Sequence, residues 1–177
     1  KWSAHASKGA DGRPRMTLTQ QIDHMRKLSY QLDAPATKVV YTKAGTLLSA
    51  AIVDDGSIVI DHMAYWAPTA SIAEARYLCT LINSAAVLAR VAPMQPRGSV
   101  GPRHFDKLVW ELPIPEFDPD DVLHRDLVDA AVEAEAVAAA LALPSGHFTT
   151  QRRAIRDALA AAGVAQRIDA LVARLLG

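Results

Sequence analysis

A run of basic and glycine residues between positions 90 and 107 carries the side chains best suited to binding a ligand. Arginine can donate two hydrogen bonds to guanine, glutamine can pair in the same way with adenine, and serine hydroxyls or backbone amides can bind phosphate. Gly98 and Gly101 would let the backbone approach such a ligand closely. The alternative is an ordinary solvated surface loop. The candidate nucleic-acid contacts in this run are Arg90, Gln95, Arg97, Ser99, Arg103, His104 and Lys107.

The first sixteen residues form a second basic segment. They mix glycine, serine, proline and basic residues without periodicity, which predicts a loop or a linker from upstream structure. Lys8, Arg13 and Arg15 are its candidate DNA contacts, and a flexible basic linker is the alternative. Because the chain begins with Lys1 and not with methionine, we expect it to be a fragment of a longer protein.

Charge is unevenly distributed along a chain whose net charge is zero. Residues 1–45 contain eight basic and three acidic side chains, whereas residues 110–177 contain six basic and eleven acidic ones. Attraction to phosphate is local, acting over about one Debye length, roughly 10 Å. The basic first third therefore leaves a nucleic-acid partner open despite the neutral total.

No motif for a complete catalytic centre is present. The sequence lacks a phosphate-binding glycine loop, a dinucleotide-binding fingerprint, paired cysteines with zinc spacing and a His-Glu-x-x-His pattern. It also lacks the Asn- or Asp-Pro-Pro-aromatic motif with which an amino-group methyltransferase would hold a flipped base. We therefore expect no enzyme activity, no cofactor and no metal site in this chain alone.

Three scattered sets of residues could still be argued to do chemistry. Asp120 and His124 could offer two helical metal ligands, although charges at a helix end are the plainer interpretation. Cys79 with His62 or His104 could form a nucleophile–base pair, although a mid-helix cysteine is more often a small buried hydrophobe. His104 with Asp106 and Arg103 could form an acid–base cluster in the basic loop, for which ligand contact is favoured.

Composition sets the class of protein. The chain has 177 residues, half of them hydrophobic and 21% charged, so it can form a core. Its single cysteine excludes an internal disulfide framework, and no apolar run approaches the roughly 20 residues of a membrane span. With no signal peptide visible, we expect a cytoplasmic protein that does not enter a membrane.

Hydrophobic periodicity and turn residues predict the elements of the first two thirds. A capping box at Thr17 and Gln20 predicts a helix that continues to Leu32, and a second box at Ser71 and Glu74 predicts one that ends at Pro93. That second helix is expected to kink near residues 83–84. Strands are predicted over residues 38–43, 46–53 and 57–66 as an antiparallel meander, with a further strand over 107–112.

The last third predicts an alanine-rich helical arm. Asp118 is expected to cap its first helix, along which apolar residues step by four and three as in a heptad seam. Two more helices follow, over residues 150–162 and 164–176, separated by Gly163. The predicted fold is α+β: a linker over 1–16, a small, mostly antiparallel sheet packed with helices over 17–117, and the arm over 118–177. The seam residues are Leu123, Leu127, Ala130, Ala134, Val137 and Leu141.

Four pieces between residues 38 and 135 resemble the target-recognition, or specificity, domain of N6-adenine DNA methyltransferases and of fused type IIG restriction–modification enzymes. They are KVVYTKAGT at 38–46, EARYLCTLINS at 74–84, GPRHFDK at 101–107 and LPIPEFDPDDVLHRDL at 112–127. The last piece is the most specific. The matching positions are Tyr77, Leu78, Leu81, Asn83 and Ser84 in the helix, and Pro113, Ile114, Pro115, Phe117, His124 and Leu127 further on.

The resemblance implies a role for the domain rather than a reaction. Such a domain docks on double-stranded DNA and selects the sequence to be methylated, while the S-adenosylmethionine-binding catalytic domain of the same protein lies elsewhere. Base-reading positions vary in the family, so the resemblance names none here. It implies structural roles for Asn83, Pro113, Pro115 and His124: turning a helix, ending a strand and capping the next helix.

Two other classes of function remain open from the residues. The acidic helical arm, with its heptad seam, could dock a partner or a second copy without direct DNA contact. A self-contained hydrolase is the weakest alternative, since no nucleophile–base pair has a recognisable spacing.

Overall fold

The computed structural model describes residues 1–98, 101–102 and 104–177 and has the expected α+β architecture. The strands are β1 (Thr37–Thr42), β2 (Ala50–Asp54), β3 (Ala64–Pro68), β4 (Arg97–Gly98) and β5 (Gly101–Pro102). The α-helices are α1 (Trp2–His5), α2 (Leu18–Ile22), α3 (Ile72–Asn83), α4 (Ala85–Val91), α5 (Val122–Ala140), α6 (Phe148–Ala161) and α7 (Val164–Leu176). Four 3₁₀ turns cover His24–Arg26, Ser29–Leu32, Ala92–Met94 and Leu108–Glu111.

The main sheet has β1 at its centre, flanked by β2 and β3, and both pairings are antiparallel. The predicted meander order is therefore wrong, although its antiparallel character is confirmed. The third strand starts at Ala64 because the preceding residues are held as a loop. The Lys38 ammonium donates to the Ile58 carbonyl, and the buried Gln31 amide group donates to the Ile60 carbonyl and accepts from the Ile60 amide.

The N-terminal helix is much shorter than predicted. The Thr17–Gln20 capping box forms as expected, but α2 ends after one turn. The Asp23 carboxylate then accepts bonds from two downstream backbone amides, and Met25 and the following residue adopt left-handed backbone angles. Leu18, Ile22, Met25 and Leu32, whose spacing would place them on one face of the longer helix, are consequently exposed, with Met25 75% accessible.

One hydrophobic core joins the sheet to the helical arm. Val39 of β1, Leu81 of α3, Leu127 of α5 and Val172 of α7 belong to the same buried cluster. The Arg76 guanidinium binds both oxygens of a glutamate on α5, which fastens α3 to the arm on the outside of this core. The centre of the heptad seam on α5 is thus filled by the chain's own helices.

The predicted kink between α3 and α4 is confirmed. The two helices meet at 61°. The Ser84 hydroxyl accepts from the Val87 amide and so caps α4. Asn83 at the end of α3 donates to the Ala50 carbonyl at 3.0 Å and accepts from the Ala50 amide at 2.9 Å, which ties the kink to β2.

Two further sequence predictions are wrong and one is confirmed. The cap of α5 is Asp121, whose carboxylate accepts two amides of the first turn, whereas the Asp118 carboxylate closes the turn before it. The expected strand over 107–112 is a 3₁₀ turn followed by an extended segment from Leu112, because amides of this stretch bond to carbonyls three residues back. Gly163 separates α6 from α7 in the left-handed conformation, as predicted.

The described residues include no single helix with the length and apolarity to cross a bilayer. Only α3 and α4 taken together reach that threshold, across their 61° bend.

Candidate nucleic-acid interface

A groove of about 690 Å³ lies beside the candidate basic loop. Residues of β1, β2, the 62–64 segment and α6 line it, and its apolar lining includes small side chains such as Ala51 and Ala64. We call it the basic groove, after its cationic or protonatable lining residues, which are Lys43, His62, His104 and Arg152.

Each of these side chains is positioned by the fold around it. His104 follows the loop and forms an isolated bridge with Ala44, directly after β1. The Lys43 ammonium donates to the His62 carbonyl at 3.3 Å and lies 5.8 Å from the centre of the Tyr65 ring. These contacts bring the end of β1, the start of β3 and the end of the basic loop to one place.

Arg152 reaches the groove from the helical arm. It lies in the first turns of α6, and its guanidinium donates to the Ser49 hydroxyl just before β2. The groove is therefore built by residues more than 100 positions apart in the chain. No aspartate or glutamate is among the described residues that line it. The Asp61 carboxylate contacts the His62 ring, while Lys43 and Arg152 offer cationic donors to an anion such as phosphate.

The base of the loop is fastened by a network of aromatic side chains and Asp106. The Tyr65 hydroxyl donates to the Asp106 carboxylate at 2.9 Å, and the Tyr41 hydroxyl donates to the Asp106 carbonyl at 3.2 Å. The Trp110 indole donates to the Tyr41 oxygen at 3.0 Å. Burial raises the pKa of Tyr41, and the bond to Asp106 raises that of Tyr65. Both phenols are therefore protonated donors at neutral pH, and they hold a residue with a left-handed backbone at φ 42°.

The structure divides the predicted loop contacts into two groups. Gln95 is buried and donates to the Gly45 carbonyl, and Arg90 donates to the Gly177 carbonyl at 2.7 Å, so both are engaged within the chain. His104 and Lys107 are exposed. Ser99, Arg103 and the side chain of Arg97 lie outside the residues that the structure describes, so those three predictions stay predictions.

The N-terminal candidates lie on a small local structure. Lys8 pairs with Pro14 in an isolated bridge, and the Trp2 indole donates to the Met16 carbonyl. Lys8, Arg13 and Arg15 are all exposed.

Sequence reasoning missed Lys43 and Arg152 as residues that line the basic groove. Lys43 ended a predicted strand, where its face could not be assigned. Arg152 lies in a segment without a motif, and its only signal was three arginines, at 152, 153 and 156, near the start of a predicted helix.

Cys79 and His124, from two of the scattered sets, have structural contacts, and Arg103 of the third set lies outside the described residues. Burial raises the pKa of the Cys79 thiol to about 11, and the contact the structure gives its sulfur is with the Asn83 amide group at 3.3 Å. His124 is buried and its Nδ1 accepts from the Asp118 amide, which fixes the turn before α5. Within the described part of the chain, no three His, Cys, Asp or Glu side chains are grouped to hold a metal.

The residues that carry the family resemblance contact one another. The Tyr77 hydroxyl donates to the Pro115 carbonyl at 3.0 Å, and its ring lies 5.4 Å from that of Phe117 and 4.6 Å from that of His124. These contacts fasten α3, the extended segment and α5 together. Asn83 lies at the kink as expected, whereas Pro113 and Pro115 end no strand, and the α5 cap expected of His124 is formed by Asp121.

Comparison of the chain with protein-family models, with curated proteins and with solved structures gave no match.

Proposed function

We propose that this chain recognises double-stranded DNA as the target-recognition part of an N6-adenine DNA methyltransferase of the restriction–modification type. The observation that carries the proposal is the basic groove, which places four cationic or protonatable side chains beside the basic loop. S-adenosylmethionine and the catalytic chemistry belong to a separate domain of the same protein, and no residue of this chain is assigned to either. We include a cytoplasmic location in this proposal, because the DNA to be recognised lies there.

The basic groove supplies the affinity in this proposal. Lys43 and Arg152 are the permanently charged members, and both are anchored by a single hydrogen bond that leaves further N–H donors for phosphate oxygens. Phosphate contacts of this kind set the position and orientation of a duplex without reading its sequence.

The loop supplies the sequence selection. Arg97, Ser99 and Arg103 are of the residue types that read base edges or bind phosphate, and the tyrosine–Asp106 network fastens the loop where it rejoins the fold. Binding residues are often carried by loops that a rigid scaffold positions.

The cluster around Tyr77 supports the family assignment. Residues from two of its separate pieces, 74–84 and 112–127, pack together, as the members of one structural motif would. Association through the arm receives less support, because Leu127 and Ala130 of the seam are already buried inside the chain.

Fluorescence anisotropy with a labelled duplex tests the DNA-binding surface. We expect Lys43→Ala and Arg152→Ala to weaken binding by several-fold each, and we expect Arg174→Ala, an exposed arginine on α7, to leave it unchanged. Equal effects of all three substitutions would contradict the assignment of the groove. For the loop, Arg97→Ala with Arg103→Ala should abolish site-specific methylation by the full-length protein, and unchanged methylation would contradict the assignment of the loop.

A further inference from the structure

A second groove, of about 810 Å³, is lined by the start of α3, the 3₁₀ turn Leu108–Glu111 and the extended segment before α5. Its apolar lining consists mainly of half-buried side chains, including Leu78, Leu112 and Phe117, together with the more exposed Trp110. We call it the acidic groove, because its charged lining residues are Glu74 and Glu116.

Charge distinguishes this groove from the basic groove. No lysine, arginine or histidine is among its described lining residues. The surrounding segment 111–121 carries five acidic and no basic side chains. Glu116 is exposed and forms no salt bridge within the described residues. The groove therefore repels phosphate and favours a cationic side chain.

The wall of the groove suits an extended chain. The segment 112–117 starts with a tight turn, in which the Ile114 amide donates to the Leu112 carbonyl, and within the described residues no backbone bond uses the Ile114 carbonyl or the Phe117 amide. The Trp110 ring is 39% exposed and held in place by its bond to Tyr41, so it offers a fixed aromatic surface. Aromatic-lined grooves with available backbone groups are typical sites for extended peptides.

We propose that the acidic groove binds an extended segment of a partner protein in which apolar or proline residues alternate with arginine or lysine. The apolar side chains lie against Trp110, Leu78 and Phe117, and a basic side chain pairs with Glu116. The site is separate from the basic groove and does not depend on the DNA-binding proposal.

Titration of isotope-labelled protein with a short peptide of leucine, proline and arginine, followed by amide NMR shifts, tests this proposal. We expect saturable shifts concentrated in residues 112–117 and the indole N–H of Trp110. Glu116→Lys should weaken binding at least about tenfold, since it replaces attraction by like-charge repulsion. Asp157→Lys makes the same charge change at an exposed position of α6 and should have little effect.

Three outcomes would overturn the proposal. The first is an absence of saturable shifts in the groove at high peptide concentration. The second is equal binding of a peptide in which glutamate replaces arginine, since the carboxylates would then not select the ligand. The third is concentration-dependent self-association, seen by sedimentation velocity and abolished by Glu116→Lys, because a second copy would then be the occupant.

Discussion

Replacing Asn83 by alanine removes the bonds that tie the α3–α4 kink to β2. The side chain accepts from the Ala50 amide at 2.9 Å and donates to the Ala50 carbonyl at 3.0 Å. A typical intramolecular hydrogen bond contributes about 0.5–1.5 kcal/mol net. Because Asn83 is exposed, both bonds compete with water, and we take the lower half of that range for each.

The expected loss for Asn83→Ala is therefore about 1–2 kcal/mol in the free energy of unfolding. For a domain of this size that corresponds to a fall in Tm of about 2–8 °C. Urea unfolding followed by circular dichroism measures it, provided that the slope with denaturant is unchanged. Gln166→Ala, at an exposed position of α7, is the control and should stay within about 0.5 kcal/mol of the parent.

An Asn83→Ala variant as stable as the parent would refute the reasoning. The two bonds would then contribute nothing, and the structural role that the family resemblance implies for Asn83 would lose its support.

Three further predictions concern the core and the arm. Burial raises the pKa of Cys79 to about 11 from 9.0, so its thiol should be alkylated near pH 8 at least about 100-fold more slowly in the native protein than in urea. Equal alkylation rates in the two conditions would contradict its burial. Burial, with a smaller effect of Asp121, raises the pKa of Tyr77 to about 12 from 10.0, so its stabilising contribution is complete below pH 10 and is lost as pH rises toward 12. The urea midpoint of the parent should therefore fall between pH 10 and 12, and that of Tyr77→Phe should fall less. An equal fall in both proteins would contradict the assignment. Gly163→Ala should lower the free energy of unfolding, measured with urea, by about 1 kcal/mol or more, because the left-handed backbone at φ 76° disfavours a Cβ. Ala162→Gly tests the neighbouring position, which has ordinary helical angles. A Gly163→Ala variant with no loss of stability would contradict the assigned cap.

Local signals predicted the parts of the fold that local chemistry determines. The capping box at Thr17, the break at Ser84 and the turn at Gly163 each depend on residues within a few positions of one another. The length of α2 was predicted wrongly because the Asp23 carboxylate captures amides five and six residues downstream and ends the helix against its apolar pattern.

Long-range contacts determine the features of the fold that could not be predicted from the sequence. The start of the third strand depends on Lys38 and Gln31, which hold a loop twenty or more residues away. The candidate site divides in the same way. His104 could be found from the composition of its loop, whereas Arg152 joins it only because α6 packs beside the start of β2.

Salt dependence of duplex binding tests the central claim most directly. The anisotropy of a labelled duplex is titrated with this chain from low to physiological salt, first with the parent and then with Lys43→Ala combined with Arg152→Ala. We expect affinity to fall steeply with salt, and the slope of log affinity against log salt to be shallower by about 1.8 in the double variant, about 0.9 for each phosphate contact removed. An absence of binding at low salt, or a double variant with the parent's affinity and slope, would contradict the assignment of the basic groove as a DNA-binding surface.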